Sequence, residues 1–131
     1  MTALAYLLFY GYVAMLIGVG IVGVFVAEGE LTRVFHLALD RVSIIDRSTF
    51  LNQYRFLKSA ELGAGLFCFV RRNEIFRDPQ LSRVFLALVL GGVFARAWSV
   101  VRDGRPRSLF LMFMALELLT AIAVAAVTRP F

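Results

Sequence analysis

The chain has 131 residues, of which 60% are hydrophobic and only 18% are charged, and its mean hydropathy is +0.80. Soluble domains carry about 25% charged residues, so this composition argues against a water-soluble domain and equally against disorder. The formal net charge of +5 comes from arginines scattered through short connectors, whereas a nucleic-acid surface gathers its basic residues on one face. We therefore expect one membrane domain over residues 1–131 that binds no nucleic acid.

Three long apolar segments are predicted to be membrane-spanning helices. Residues 3–26 contain no charged side chain, residues 108–128 contain only Glu117, and residues 81–101 contain two arginines. A bilayer core of about 30 Å needs roughly 20 residues of helix, and each segment supplies that length. The first segment lacks the basic n-region of a cleavable signal peptide, so we expect it to be retained.

The segment that follows the first span predicts an amphipathic helix over about residues 29–47. Its apolar residues recur at helical spacing opposite arginines and aspartates, which is typical of a helix at the membrane interface, although it could also fold inward as a lid. Residues 51–70 complete a fourth, more polar span. Because the later connections are short, the predicted fold class is an all-α integral membrane four-helix up-down bundle with an interfacial amphipathic helix.

The fourth span carries three charges, Arg55, Lys58 and Glu61, and should not insert alone. A charged side chain at a helix centre costs about 2.5–3.5 kcal/mol, while a large apolar residue returns only about 0.3–0.6 kcal/mol. About eight large apolar residues therefore return roughly 4 kcal/mol, against up to roughly 9 kcal/mol for the three charges. We expect this helix to need polar partners on its neighbours.

Ionisable residues on three predicted spans fall at similar depths. At a rise of 1.5 Å per residue, Glu61 and Glu117 lie about 15 Å from the same side of the bilayer, and Arg96 about 8 Å from it. We predict one buried network in which Arg96 and Lys58 neutralise the two glutamates; it either lines a polar pocket or only fixes helix register. The predicted ligand-binding residues are Tyr54, Arg55, Lys58, Glu61, Arg96, Ser99 and Glu117.

Two apparent motifs do not predict chemistry. Gly18, Gly20 and Gly23 have the spacing of a dinucleotide-binding turn, but that turn must follow a strand, and here the glycines lie inside an apolar run. Close helix packing is the better interpretation. His36 and Cys68 are the single histidine and cysteine and have no partners at triad or metal-site spacing, so we expect no catalytic residue, no metal and no cofactor.

Two stretches resemble a bacterial membrane family known as domain of unknown function 4345. The first carries N-Q-Y-R-F-L from residue 52 and A-E-L-G-A-G-L-F from residue 60. The second covers residues 85–107 and is followed by E-L-L from residue 117; its matching residues are Gly91, Gly92, Arg96, Ser99, Gly104 and Pro106.

The resemblance covers about residues 51–126 and extends loosely to DoxX-like proteins. It implies a four-span protein of the bacterial inner membrane. It also implies that the family pattern includes Arg55, Arg96, Ser99 and Glu117, and that Lys58 and Glu61 are less fixed in that pattern.

The leading functional hypothesis is a non-catalytic membrane protein that holds a small amphiphile, such as a lipid headgroup or a quinone, in the polar pocket, or that serves as an accessory subunit of a membrane complex. The basic side chains would hold an anionic or carbonyl group. The alternatives are a small proton-coupled exporter that uses Glu61 or Glu117, and a lipid- or isoprenoid-modifying enzyme in which one of them is the acid or base. Expected partners are membrane lipids, with a homodimer or a membrane-protein partner left open.

Overall fold

The computed structural model describes residues 2–129, which form helices joined by short connections. This part of the chain contains no β-strand, which confirms the all-α class. In chain order the elements are α1 (Thr2–Phe25), α2 (Ala27–Arg33), a 3-10 turn (Leu39–Arg41), α3 (Ile44–Val70), α4 (Arg72–Arg77), α5 (Pro79–Asp103) and α6 (Ser108–Thr128).

Helices α1, α5 and α6 are each long and apolar enough to cross a membrane. They have 24, 25 and 21 residues, so their lengths of roughly 32–38 Å match a hydrocarbon core of about 30 Å. They coincide with the predicted spans at residues 3–26, 81–101 and 108–128, and all three predictions are confirmed as membrane-capable helices. At the start of α5, Asp78 accepts a hydrogen bond at 2.8 Å from a backbone N–H two residues on, and a proline follows in the first turn.

Helix α3 contains the predicted span at residues 51–70, but it begins earlier, at Ile44. Its 27 residues are long enough to cross a bilayer. Its charged residues set it apart from the three membrane-capable helices, each of which has an apolar stretch of 18 residues with at most two charges. The fourth span, and with it the four-helix bundle, stays a prediction.

The amphipathic segment is not the continuous helix that the spacing predicted over residues 29–47. Helix α2 ends at Arg33, a 3-10 turn follows at Leu39–Arg41, and α3 begins at Ile44. His36 has a φ of 53°, in the left-handed region, and a single residue in that conformation ends a right-handed helix. The break lets Leu39 join a small buried core. The location of this segment at the membrane interface stays a prediction.

The chain divides into two compact units, and a single domain over residues 1–131 stays a prediction. The first unit joins the residues up to Tyr12 with those from Cys68 onwards. In it α5 packs against both α4 and α6, and the ring of Phe9 lies 5.2 Å from the rings of Phe76 and Phe85. Phe9 and Phe85 are almost completely buried, so aromatic packing forms the centre of this unit.

The second unit runs from Val13 to Phe67 and contains the rest of α1, α2 and most of α3. Its small apolar core consists of buried residues from α2, the 3-10 turn and α3, with two aromatic side chains packed against it. The core residues are Ala27, Leu31, Leu39 and Leu51, and the aromatic ones are Phe35 and Tyr54.

Candidate functional site

An ion-pair cluster connects α2 with α3 in the second unit. Nζ of Lys58, the only lysine in the chain, lies 2.9 Å from Oε2 of Glu61 and 4.0 Å from Oε1 of Glu30. The side chains of Lys58 and Glu30 are each only 9% exposed, whereas that of Glu61 is 36% exposed. Charged side chains are rarely buried to this degree unless they are paired. Lys58 is therefore the central charge of the cluster, and its predicted pairing with Glu61 is confirmed.

Tyr54 lies one helical turn before Lys58 and forms the aromatic side of the cluster. The Lys58 ammonium is 5.4 Å from the centre of its ring, a distance at which a cation and a ring face attract each other. The ring also makes an edge contact with Phe35 at 6.0 Å and stacks with Phe50 at 6.5 Å. The predicted helix face that joins Tyr54, Lys58 and Glu61 is thus present.

Tyr54 and Glu30 are neighbours on the buried side of the cluster. Oη of Tyr54 and Oε2 of Glu30 are covered by protein, and neither makes a hydrogen bond of normal geometry with residues 2–129. The Glu30 carboxylate nevertheless acts on the Tyr54 phenol through its charge and through a side-chain hydrogen bond. Because a phenol donates and a carboxylate accepts, the two groups are each other's partners.

Glycines allow α1 and α3 to approach closely beside this cluster. A side chain at Gly23 would overlap the stem of Lys58, and a Cβ at Gly20 would lie only 2.7 Å from the backbone nitrogen of Leu62. A Cβ at Gly65 would likewise lie 2.8 Å from Cγ1 of Ile17. Because α1 is one uninterrupted helix, the dinucleotide interpretation of its glycines is excluded, and the packing interpretation is confirmed for these positions.

Arg55 interacts with the end of α1. Its Nε donates a hydrogen bond at 3.3 Å to the backbone carbonyl of Val24. The last carbonyls of a helix have no partner within the helix, and a positive charge there also interacts favourably with the helix dipole. Arg55 therefore caps the end of α1, a role that was not predicted when Arg55 was placed among the ligand-binding residues.

A second ion pair joins α5 to α6 in the first unit. Nε of Arg96 lies 3.1 Å from Oε2 and 3.3 Å from Oε1 of Glu117. The Glu117 side chain is 5% exposed and that of Arg96 is 34% exposed. Gly92, one turn before Arg96, faces the carboxylate, and a Cβ there would make an ordinary van der Waals contact with Oε2 at 3.8 Å. The predicted pairing of Arg96 with Glu117 is confirmed.

Other polar groups of the first unit hydrogen-bond separately from this pair. Ser99, predicted to lie on the same face as Arg96, donates to Oδ2 of Asp103 at 2.9 Å on its own helix. Thr120, one turn from Glu117 and fully buried, donates to the carbonyl of Leu8 at 3.3 Å. The predicted residues thus form one pair in each unit, and a single network that joins the two pairs stays a prediction.

Glu30 is the cluster residue that the sequence reasoning missed. The signal was present in its spacing, because Glu30 follows buried Ala27 by three residues and directly precedes buried Leu31, and so lies on the inward side of α2. Glu28, on the other side, forms an exposed ion pair with Arg47. The prediction of one interfacial helix over residues 29–47 treated the acidic residues of this segment as solvent-facing. It therefore did not distinguish buried Glu30 from exposed Glu28.

Comparison with known proteins supplies a family. The sequence model of the family described as "Domain of unknown function (DUF4345)" matches residues 3–127. The chain belongs to the DUF4345 family. The match confirms the resemblance seen in the sequence and extends it to α1, which the quoted motifs did not include. No curated protein and no solved structure matches the chain.

Proposed function

We propose that this DUF4345 protein is a multi-pass protein of the bacterial inner membrane that holds the headgroup of a small amphiphile in a polar site beside α3, which supplies a fourth span. The observation that carries the proposal is the polar cluster itself, in which the buried ammonium of Lys58 faces the carboxylates of Glu30 and Glu61 beside the ring of Tyr54. An amphiphile whose tail lies among apolar helices would bring a polar headgroup to such a site.

The cluster has the features that a headgroup site needs. Lys58 and the two carboxylates provide charge, and Tyr54 provides an aromatic ring with a hydroxyl. The Glu61 side chain is one-third exposed, so the cluster is accessible from that side. That the same pocket includes a wider set of residues stays a prediction; these are Arg55, Arg96, Ser99 and Glu117. Arg96→Gln tests this prediction through its effect on the retained amphiphile.

The experiment is mass spectrometry of lipids and small molecules that the detergent-purified full chain retains. Lys58→Met removes the central charge but keeps an unbranched stem beside Gly23, and we expect the variant to lose the retained amphiphile. Arg71→Gln is the matched control, because it removes an exposed charge paired with Glu74 in the other unit. Retention of the same molecule by Lys58→Met, or retention of bulk membrane lipid alone by the unchanged protein, would contradict the proposal.

The exporter alternative gains less support from the geometry. An exporter's exchanging carboxylate releases its proton to bind a cation, and a permanent cationic partner competes with that exchange. Glu61 has such a partner in Lys58 at 2.9 Å, and Glu117 has one in Arg96 at 3.1 Å. Efflux assays discriminate, because an exporter should lose transport in Glu61→Gln or Glu117→Gln.

A further inference from the structure

The connection between α5 and α6 carries three arginines within six residues. They are Arg102, Arg105 and Arg107, and all three side chains are exposed. The one carboxylate of this stretch, on Asp103, accepts a hydrogen bond from Oγ of Ser99 at 2.9 Å. Neither Arg102 nor Arg105 forms an ion pair with another of the described residues. The connection therefore presents three positive charges against one negative charge.

The last turns of α5 present an apolar face directly before this group of arginines. Phe94, Trp98 and Val101 follow one another by four and three residues, so they share one side of the helix. Each of them is more than half exposed. Because α5 is long and apolar enough to cross a membrane, lipid is the natural neighbour of this face. Tryptophan is enriched where lipid meets water, and Trp98 lies one turn before Arg102, which brings the arginines to the level of the lipid headgroups.

We infer that the α5–α6 connection binds the headgroup of an anionic phospholipid whose acyl chains lie along the apolar face of α5. A guanidinium is planar and can donate two parallel hydrogen bonds to the oxygens of a phosphate. Each basic residue near an anionic bilayer surface strengthens binding by about fivefold. A zwitterionic phospholipid has the same phosphate but carries its own cationic group, so the arginines favour the anionic lipid.

The inference goes beyond the proposed function and is independent of it. It uses only α5, α6 and the chain between them, which all belong to the first unit. The cluster around Lys58 lies in the second unit and has no part in it. Failure of the headgroup site beside α3 therefore leaves this inference intact, and its own failure leaves the proposed function intact.

The chain's single tryptophan makes a local test possible. Bromine atoms on lipid acyl chains quench tryptophan fluorescence on contact, so quenching reports which lipid lies beside Trp98. The full chain is reconstituted in phosphatidylcholine vesicles that contain a minor fraction of either brominated phosphatidylglycerol or brominated phosphatidylcholine. We expect the unchanged protein to prefer the brominated phosphatidylglycerol beside Trp98 by at least about fivefold.

Charge variants assign the preference to the arginines of the connection. Replacing all three by Gln should remove it, whereas replacing all three by Lys should keep most of it because the charge remains. The matched control replaces Arg71, Arg72 and Arg77 by Gln. It removes the same number of arginines beside α4, which immediately precedes α5, and therefore at the end of α5 opposite Trp98. The control should leave the preference at Trp98 unchanged.

Equal quenching by the two brominated lipids would overturn the inference in favour of a soluble acidic partner, and so would an unaltered preference in the variant with three Gln. The lipid comparison uses the unchanged protein, so it remains decisive if a variant does not fold. Millimolar inorganic phosphate distinguishes a lipid headgroup from a free anion. It should have no more effect on the preference than chloride at the same ionic strength, and a specific loss of the preference in phosphate would also overturn the inference.

Discussion

Removing the two members of the Arg96–Glu117 pair one at a time should have unequal costs. Breaking a buried ion pair costs about 3–5 kcal/mol when the remaining charge stays buried. Arg96→Gln leaves the carboxylate of Glu117, whose side chain is only 5% exposed, so we expect a loss of about 3 kcal/mol in the free energy of unfolding. Glu117→Gln leaves a guanidinium that is already 34% exposed and can extend towards the polar interface, so we expect a loss of about 1 kcal/mol.

The assay is equilibrium unfolding of the detergent-solubilised chain, followed by circular dichroism, for both single variants and the double variant. In the double variant neither charge of the pair remains, so its loss should be smaller than the sum of the single losses by about 1–2 kcal/mol. Arg71→Gln, in the exposed pair with Glu74, serves as the control and should change stability by no more than about 0.5 kcal/mol. Equal and additive losses at Arg96 and Glu117 would refute the reasoning.

Three further substitutions test the packing and polar contacts around the two ion pairs by the same unfolding measurement. Gly20→Ala should cost about 1–3 kcal/mol more than Gly18→Ala, because a Cβ at residue 20 meets the backbone of Leu62 whereas one at residue 18 meets nothing within 4 Å; equal costs would contradict the close approach. Arg55→Gln should cost up to about 1 kcal/mol through loss of the contact at the end of α1, and no change would show that water replaces it. Thr120→Val, which keeps the side-chain shape, should cost about 1 kcal/mol through the lost hydrogen bond to a carbonyl of α1, whereas a stabilised variant would exclude that bond.

The apolar helices could be predicted from the sequence because their signal is local. A run of about 20 apolar residues predicts a membrane-capable helix whatever the rest of the chain does, and α1, α5 and α6 follow that rule closely. The faces of the polar residues were also predictable. Helical spacing alone places Lys58 beside Glu61. The depths of Arg96 and Glu117 in the membrane predicted that these two side chains would pair.

The break in the amphipathic segment could not be predicted in the same way. Its apolar spacing is consistent with one helix, and nothing local requires His36 to adopt a positive φ. The break is favoured by tertiary packing, since it lets Leu39 join the core formed by α2 and α3. Glu30 precedes the break, on the side of α2 that buries Ala27 and Leu31, so its contact with Lys58 follows from the spacing within α2. The missed break depends on tertiary packing, whereas the missed residue had a local signal.

The contacts of α3 also change the meaning of the three charges in the span predicted over residues 51–70. A hydropathy sum counts Arg55, Lys58 and Glu61 as if each faced lipid alone, which gives a deficit that the apolar residues of the helix do not offset. In the folded chain, Lys58 and Glu61 pair with each other, Lys58 also faces Glu30, and Arg55 donates to a backbone carbonyl. Most of the deficit therefore belongs to an isolated helix and not to the assembled unit. It follows that the membrane insertion we propose for α3 depends on its prior or simultaneous docking with α1 and α2.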